Sequence, residues 1–304
     1  MRRFLGALAG IALFGGIAFF LLTMPRGLSS REIAALSEGD AARGETWFWA
    51  GGCGSCHAAD RAKGEDKLTL GGGHVLATEF GDFVAPNISM HPEDGIGAWS
   101  TADFVNAMKK GVSPDGRHYY PAFPYASFTR METSDVVDLW AFMRTLPEVE
   151  GRAPESDLAF PFDIRRGVGL WKLAFLDDDP VVEVPFDDPV LRRGRYIAEG
   201  AGHCAECHTP RGLGGQLDTL RWMAGAPVAD GPGNVPNITT GEGGIGGWSV
   251  ADFAYYLETG FTPSFDTVGG SMVSVQDNMA MLEPADREAI AAYFLALPAL
   301  ASAR

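Results

Sequence analysis

The sequence is poor in cysteine, histidine and basic residues. Its 304 residues include four cysteines and six histidines, and 24 lysines and arginines stand against 39 aspartates and glutamates, a formal net charge of −15. All four cysteines fall in two pentapeptides, so none is left for a disulfide framework. The shortage of basic residues excludes a typical nucleic-acid-binding surface, which neutralises phosphates with lysine and arginine. The acidic charge suits either a basic docking partner or simple solubility.

The sequence also lacks a glycine-rich dinucleotide or flavin fingerprint and an evident acid–base constellation. Its hydrophobic content of 46% and aromatic content of 11% are typical of a globular protein. A chain of 304 residues is long enough for two domains of ordinary size.

The two cysteine-containing pentapeptides, residues 53–57 and 204–208, both read C-x-x-C-H. This is the attachment signature of c-type haem, in which two thiols bond to the vinyl groups and the adjacent histidine offers an imidazole nitrogen to the iron. The same cysteine spacing occurs in zinc and thiol-redox sites, but the fixed histidine suits neither. The sequence therefore predicts two covalently attached haem c groups. Their attachment residues are Cys53, Cys56, Cys204 and Cys207, with His57 and His208 as iron ligands.

An uncharged run of 21 residues, Phe4 to Met24, follows two arginines at the N-terminus. The run is long enough to cross a bilayer as a helix, and its basic flank favours a cytoplasmic N-terminus. A cleaved signal peptide is the alternative, although the run ends without an Ala-x-Ala-like site. We expect residues 1–26 to anchor the chain in the inner membrane, with the rest on the periplasmic side, where thioether attachment of haem takes place.

From residue 40 onward the sequence repeats itself with an offset of about 150 residues. The matching segments are the two pentapeptides, the Pro-Asn-Ile loops at 86–88 and 236–238, the Gly-Ile-Gly-x-Trp-Ser segments at 95–100 and 244–249, and the amphipathic stretches 134–146 and 284–297. Residues 40–148 and 188–299 are therefore predicted to be two domains, joined by a linker over 149–187. The apolar part of the linker, Ile164 to Leu176, is expected to pack across both.

Helix signals recur at the same places in the two repeats. Predicted N-caps are Asp40, Ser100, Asp188 and Ser249, and the predicted helix ends are Gly111 and Gly260. Gly44 and Gly194 precede the first cysteine of each pentapeptide by nine and ten residues, and such a glycine lets another helix cross closely. Asn87 and Asn237 fit the glycosylation sequon, but their equivalent positions favour a turn beside each haem.

The second repeat offers a methionine for the opposite face of the iron. Methionine as the sixth ligand keeps the iron six-coordinate and raises its potential. Met272 lies in the loop before the last helix, where such a ligand is expected. Met279 and Met281 are competitors, although they are closer to the helix, where apolar residues usually pack.

The first repeat does not indicate a single sixth ligand. Met131 lies just before the last helix, where a packing role is the simpler interpretation, and His118 is an alternative ligand. Met90 and His91 are outside candidates, and an iron without a sixth protein ligand is also open. The remaining histidines, His74 and His203, are interpreted as solvated or supporting residues.

The chain resembles membrane-associated multihaem cytochrome c subunits that accept electrons from periplasmic dehydrogenases for alcohols, sugar acids and aldehydes. The resemblance covers residues 40–298 and rests on Trp47–Cys53, the two Pro-Asn-Ile loops, the two Gly-x-Trp-Ser-x-x-Asp-Phe helix starts, Cys207–Gly212 and Gly270–Met272. It implies an all-α fold of two tandem class I cytochrome c domains after the transmembrane helix, with His/Met ligation. It also implies a periplasmic dehydrogenase as donor and another cytochrome, an oxidase or a quinone of the respiratory chain as acceptor.

The chain departs from that family in two respects. The family typically carries three haems, whereas this sequence has two attachment motifs. The family's first domain typically reads Tyr-Pro-Ala-Met-Pro-Tyr, with the methionine as ligand, but here Phe123 takes that place. Met131 or His118 would then be the sixth ligand of the first iron, or that ligand position would be vacant.

The favoured interpretation is an electron-transfer protein or dehydrogenase subunit without catalysis of its own. A dihaem enzyme is the alternative, such as a peroxidase or a sulfur-compound dehydrogenase, since the first haem lacks the family ligand. An interaction or zinc-binding module is a third hypothesis.

Overall fold

The computed structural model describes residues 2–185, 187–228 and 233–303. Met1 of the predicted anchor, Phe186 of the linker, residues 229–232 of the second repeat and the terminal Arg304 lie outside the described residues.

Helices dominate the described part of the chain. Up to the end of the first repeat they are α1 (Arg2–Leu22), α2 (Ser30–Ala34), α3 (Ala41–Gly51), α4 (Cys53–His57), α5 (Thr101–Val105), α6 (Tyr125–Phe128) and α7 (Thr133–Met143). The linker holds α8 (Gly167–Phe175), and the second repeat holds α9 (Pro189–Tyr196), α10 (Ala205–His208), α11 (Val250–Thr259), α12 (Met272–Met279) and α13 (Pro284–Ala296). Wider π-type turns continue α5 over Asn106–Lys110 and α9 over Ile197–Ala201, and 3₁₀ turns cover Gly64–Leu68 and Thr219–Arg221.

The expectation of an all-α fold is confirmed only in part: the described residues are rich in helix, but they also form five short strands. Strands β1 (Val75–Thr78) and β2 (Gly81–Val84) form an antiparallel hairpin, and β3 (Asp157–Leu158) adds to β2. A second pair joins β4 (Ala226–Pro227) to β5 (Asn234–Val235). None exceeds four residues, which is too short to show a clear alternation in the sequence. Since β3 comes from the predicted linker, the linker completes a sheet that begins in the first repeat.

The predicted N-caps and the two helix-ending glycines are confirmed, whereas α7 ends at Met143, three residues before the predicted end. The N-caps are Asp40, Ser100, Asp188 and Ser249, and each side chain accepts a backbone N–H of the first turn. The two serines form reciprocal capping boxes with Asp103 and Asp252. Gly111 and Gly260 end their helices with φ of 56° and 78°, values that a residue with a side chain rarely adopts.

The close helix crossings predicted from two glycines are also confirmed. A Cβ on Gly44 would lie 1.9 Å from the Asp138 carbonyl oxygen on α7, and a Cβ on Gly194 would lie 1.9 Å from the Ala289 carbonyl oxygen on α13. Helix α3 therefore packs on α7 as α9 packs on α13. Each crossing is fastened by an arginine one residue before its glycine. Arg43 Nε lies 2.7 Å from an Asp138 carboxylate oxygen, and Arg193 binds Asp286 through two 2.7 Å bonds.

The linker helix α8 contacts both repeats, as predicted for the apolar stretch that contains it. On the first repeat, Lys172 Nζ donates to the carbonyls of Lys110 and Gly111, both at 2.6 Å. On the second, Trp171 Nε1 donates to the Gly214 carbonyl at 2.9 Å. The linker is thus part of the packed body.

Helix α1 stands outside this body. Its segment Arg3–Leu22 has a mean hydropathy of 2.3 and is not buried by the rest of the chain, so by length and composition it is able to cross a membrane. A signal sequence has the same properties.

The two helix crossings generate a stability prediction. Replacing Gly44 or Gly194 by alanine should lower the free energy of unfolding by about 1–3 kcal/mol, because the added methyl forces the helices apart. Urea unfolding of the haem-loaded protein, followed by circular dichroism, measures this. The matched control is Gly247→Ala, since that position is open and has no positive φ. Equal midpoints for all three variants would show that the crossings tolerate a side chain.

Candidate haem-binding site

Each pentapeptide forms a single helical turn whose histidine is oriented by a carbonyl. His57, at the end of α4, has Nδ1 2.8 Å from the Pro86 carbonyl oxygen. His208, at the end of α10, has Nδ1 2.7 Å from the Pro236 carbonyl oxygen. A carbonyl only accepts hydrogen bonds, so Nδ1 carries the proton and the lone pair of Nε2 is free for a metal. The repeat thus reproduces the same ligand tautomer twice.

Both imidazoles are held in the neutral form that binds iron. Burial lowers the pKa of His57 and His208 below the usual value, and the hydrogen bond to the proline carbonyl opposes that effect without reversing it. A neutral ring with a directed Nε2 is the donor that a haem iron requires.

The proline carbonyls are held in place by buried asparagines. Asn87 Nδ2 donates to the carbonyls of Val149 and Gly151, at 2.7 and 2.8 Å, just beyond α7. Asn237 Nδ2 makes the equivalent bond to the Leu300 carbonyl at 2.8 Å, just beyond α13. Both asparagines are under 5% exposed. They serve as turn residues, as predicted, and burial makes them unsuitable as glycosylation acceptors.

The thiols do not resemble those of a thiol-redox site. No disulfide bond joins any of the four cysteines. Burial raises the pKa of Cys53 and Cys204 to about 12, whereas redox-active cysteines have a lowered pKa. Two thiols and one directed imidazole in each repeat match the donor set that haem c needs.

The two pentapeptides contact each other's repeats in a reciprocal way. Ser55, the third residue of the first pentapeptide, accepts a 2.8 Å hydrogen bond from Asn278 Nδ2 on α12. Glu206, the third residue of the second, accepts one of 3.0 Å from Ser127 on α6. His203 Nε2 also donates to the Gly51 carbonyl at 3.2 Å, which joins the residues just before the two motifs. The two attachment sites therefore lie at one shared boundary.

The three candidate methionines of the second repeat differ in their surroundings. Met281 is 54% exposed and Met279 is 4% exposed within the core. Met272 is half-buried as the first residue of α12, the helix whose Asn278 contacts the first pentapeptide. Core packing of Met279 and exposure of Met281 leave Met272 as the favoured candidate, and its ligation stays a prediction.

In the first repeat, Met131 is packed at the boundary between the repeats. It is 1% exposed, and its Cγ lies 3.5 Å from the position that a Cβ on Gly200 would occupy, in the second repeat. The alternative, His118, is also buried, and its Nε2 donates to the Thr23 carbonyl at 2.9 Å. Its Nδ1, which then holds the lone pair, has no hydrogen-bond partner among the described residues. These contacts fit either residue as the sixth ligand of the first iron, so Met131 and His118 both stay predictions.

The remaining candidates have other partners. His74 Nδ1 lies 3.1 Å from a carboxylate oxygen of Asp60 at the surface, which suits the predicted solvated role. His91 Nδ1 accepts the Asp94 N–H at 3.0 Å, so this nitrogen is occupied. Met90 is half-buried against the core. Phe123, in the position of the family ligand, belongs to an aromatic cluster with Tyr119, Tyr125 and Phe128.

The family model for cytochrome c matches residues 41–147. Over 300 residues the chain is 48% identical to a protein described as a diheme cytochrome c-type from Cereibacter sphaeroides, which covers 99% of this chain and 100% of the relative. The chain belongs to this dihaem c-type cytochrome family.

The cytochrome is also similar to dehydrogenase subunits, so the resemblance inferred from its motifs is confirmed. It is 34% identical over 262 residues to the fructose dehydrogenase cytochrome subunit of Gluconobacter japonicus, covering 85% of this chain and 53% of that subunit. It is 32% identical over 286 residues to the gluconate 2-dehydrogenase cytochrome c subunit of Pantoea cypripedii, covering 90% of this chain and 64% of that subunit. The chain thus spans about half to two thirds of these subunits.

One residue of the cytochrome's site, the buried Lys67, could not be predicted from the sequence. Lys67 is 2% exposed, and its Nζ donates to the Ser274 carbonyl at 3.0 Å, to Ser274 Oγ at 3.1 Å and to Asn278 Oδ1 at 2.7 Å. Burial lowers its pKa while the Asp277 carboxylate opposes this, and three acceptors match the three donors of an ammonium group. No local signal marks Lys67, because its partners are about 210 residues away in the sequence.

The buried asparagines generate a prediction for the site. Asn237→Ala should lower the free energy of unfolding by about 1–3 kcal/mol, because the buried Thr239 N–H loses its acceptor and the half-buried Leu300 carbonyl keeps only the Thr239 hydroxyl as donor. Urea unfolding of the haem-loaded cytochrome measures the change. Asn234→Ala, at an exposed position of β5, is the matched control. Equal losses in the two variants would contradict a special role for Asn237.

Proposed function

We propose that the protein is an electron-transfer cytochrome with one haem c in each of two class I cytochrome c domains, residues 40–148 and 188–299. The observation that carries the proposal is the duplicated site, in which each C-x-x-C-H histidine is directed by a proline carbonyl. Such a site, occurring twice along a shared boundary, provides for two redox groups in one body.

In this proposal the chain supplies attachment, orientation and exclusion of water. Haem c supplies a one-electron redox couple. Cys53, Cys56, Cys204 and Cys207 hold the two groups, and His57 and His208 each present Nε2 to an iron. Buried apolar residues such as Leu70 in the first repeat and Met223 in the second keep the surroundings dry. No general acid, base or nucleophile is required of the protein.

The proposed donor is a periplasmic dehydrogenase, and the acceptor is another cytochrome, an oxidase or a quinone of the respiratory chain. Relatives named as cytochrome subunits of fructose and gluconate dehydrogenases support the donor. Helix α1 supports attachment to the inner membrane, with the haem domains on the periplasmic side, where c-type haem is attached. The net charge of −15 suits a basic docking face on a partner.

For the sixth ligands we propose Met272 at the second iron and Met131 at the first, with His118 as the alternative for the first. Met272 is supported by its place at the start of α12 and by the core packing and surface exposure of its two competitors. Met131 lies just before the last helix of the first repeat. His118 is the alternative because its Nδ1 has no hydrogen-bond partner among the described residues.

The second candidate function is a dihaem enzyme, such as a peroxidase or a sulfur-compound dehydrogenase. The observation that favours it is Phe123, which replaces the family's methionine ligand with an aromatic side chain. If Met131 only packs against Gly200, the first iron keeps an open face. An open iron is what such enzymes need.

The two functions are separated by one experiment on the full chain, matured in a host that attaches haem c. An electron carrier should have a mass equal to the polypeptide plus two haems, accept two electrons in single-electron steps, and leave its reduced spectrum unchanged under carbon monoxide. Carbon monoxide binding at one haem would support the enzyme instead. A mass equal to the bare polypeptide would overturn both.

The proposed ligands are tested by methionine replacement. Met272→Ala should remove one Met–iron charge-transfer band from the oxidised spectrum, whereas the control Met281→Ala should leave it intact, because Met281 is exposed. Met131→Leu, which preserves volume, should remove a second band. An unchanged spectrum in Met131→Leu together with a changed one in His118→Asn would transfer the first ligand to His118.

A further inference from the structure

The linker carries an apolar surface that the protein leaves uncovered. Its members are exposed by between 44% and 79%, a large fraction for side chains of this type. We define the apolar platform as Phe160, Phe162, Ile164, Leu170 and Leu173. Exposed apolar surfaces of this extent usually mark an interaction site.

Helix α8 contributes Leu170 and Leu173 to the platform, and its outward face is uncharged. Only Val168 and Gly169 are buried on the inward face of the helix. The one charged residue of α8, Lys172, turns its Nζ inward to the carbonyls of Lys110 and Gly111. A helix that is apolar all round is normally buried on every side. Here one side has no protein cover among the described residues.

The start of α8 contacts the last turn of α1. Arg166 Nη2 donates to the Phe20 carbonyl at 2.8 Å, and its guanidinium lies 4.4 Å above the Phe20 ring. A Cβ on Gly169 would lie 2.7 Å from Thr23 Cα, so the two segments touch through their backbones. The platform therefore begins where the proposed membrane span ends.

The segment between α1 and the first repeat is also held against the body. Leu28 N–H donates to Asn106 Oδ1 at 2.7 Å, and Thr23 is fully buried beneath His118. The body is thus fixed to the end of α1 through residues on either side of it. A body held in this way has one face directed at the membrane from which α1 emerges.

We propose that the apolar platform lies in the interfacial region of the lipid bilayer, with α8 parallel to the membrane surface. The occupant of this surface is lipid because the platform adjoins the end of α1, whose exposed apolar side chains would face lipid in the proposed anchoring. Aromatic and aliphatic side chains with flanking arginines, here Arg165 and Arg166, suit the boundary between headgroups and acyl chains. The acidic run Asp177–Asp179 directly follows and returns the chain to water.

This inference rests on the proposed anchoring by α1, and spin labels test the two separately. Single cysteines are introduced by Leu173→Cys on the platform, Phe14→Cys on α1, and Phe265→Cys on a distant loop, and each is labelled in the full haem-loaded chain. Phe265 is 85% exposed and precedes Asp266, so it is a matched exposed apolar control. The labelled proteins are placed in vesicles of phosphatidylcholine and phosphatidylglycerol. Accessibility to oxygen is compared with accessibility to a water-soluble nickel chelate.

At Leu173 and Phe14 oxygen should broaden the spectrum more than the nickel chelate does, and at Phe265 the order should reverse. A label at Leu170 should repeat the result for Leu173, since both face outward from α8. If Leu173 behaves like Phe265 while Phe14 is in lipid, the platform proposal is wrong and the anchor stands. That result would assign the platform to a protein partner. If Phe14 is also in water, the anchoring proposal is the one that fails.

Discussion

The hydrogen bond from each C-x-x-C-H histidine to a proline carbonyl is the interaction on which the rest of the proposed site depends. It fixes which imidazole nitrogen is available, and it is formed only if the Pro-Asn-Ile loop is correctly placed. The loop in turn is tied through Asn87 and Asn237 to the chain just beyond α7 and α13. Each site therefore needs its whole repeat folded, from the first helix to the residues after the last. This explains why the sequence similarity between repeats extends far beyond the pentapeptides.

The boundary between the repeats gives the two sites different electrostatic surroundings. Beside the first pentapeptide lies the buried Lys67, whose Nζ is bonded to groups of α12. Beside the second lies Glu206, whose carboxylate is paired with Arg211 at 2.6 Å. Lys67 is loosely paired with Asp277, whose carboxylate oxygen lies 3.8 Å from Nζ, whereas Glu206 and Arg211 form the closer pair. The buried ammonium is therefore the less fully neutralised charge and stabilises an added electron nearby more strongly. Two sites that arose from one repeat thus have a physical reason to differ in potential.

Local chemistry explains which features were predictable from the sequence. Caps, helix ends, glycine crossings and the turn asparagines follow from short patterns that occur twice, and the structure contains all of them. The short strands, Lys67 and the contact between α1 and α8 depend on residues far apart in the sequence, so no pattern marks them. The sixth iron ligands are an intermediate case, because the sequence offers candidate residues without distinguishing among them. A methionine in a loop has the same local signature whether it binds iron or packs, as Met131 illustrates.

The distribution of apolar and acidic residues assigns different tasks to different faces of the protein. Helix α8 contains no acidic residue, and the acidic run Asp177–Asp179 begins just past its end. A carboxylate on the outward face of α8 would be costly in the bilayer interface and would be repelled by anionic lipids. In the proposed arrangement the large negative charge lies on the faces that point to water, where it would attract a basic partner over a Debye length of about 8 Å at physiological salt. Fixing α8 against α1 would thus keep the apolar face toward lipid and leave the acidic surface free for the redox partner.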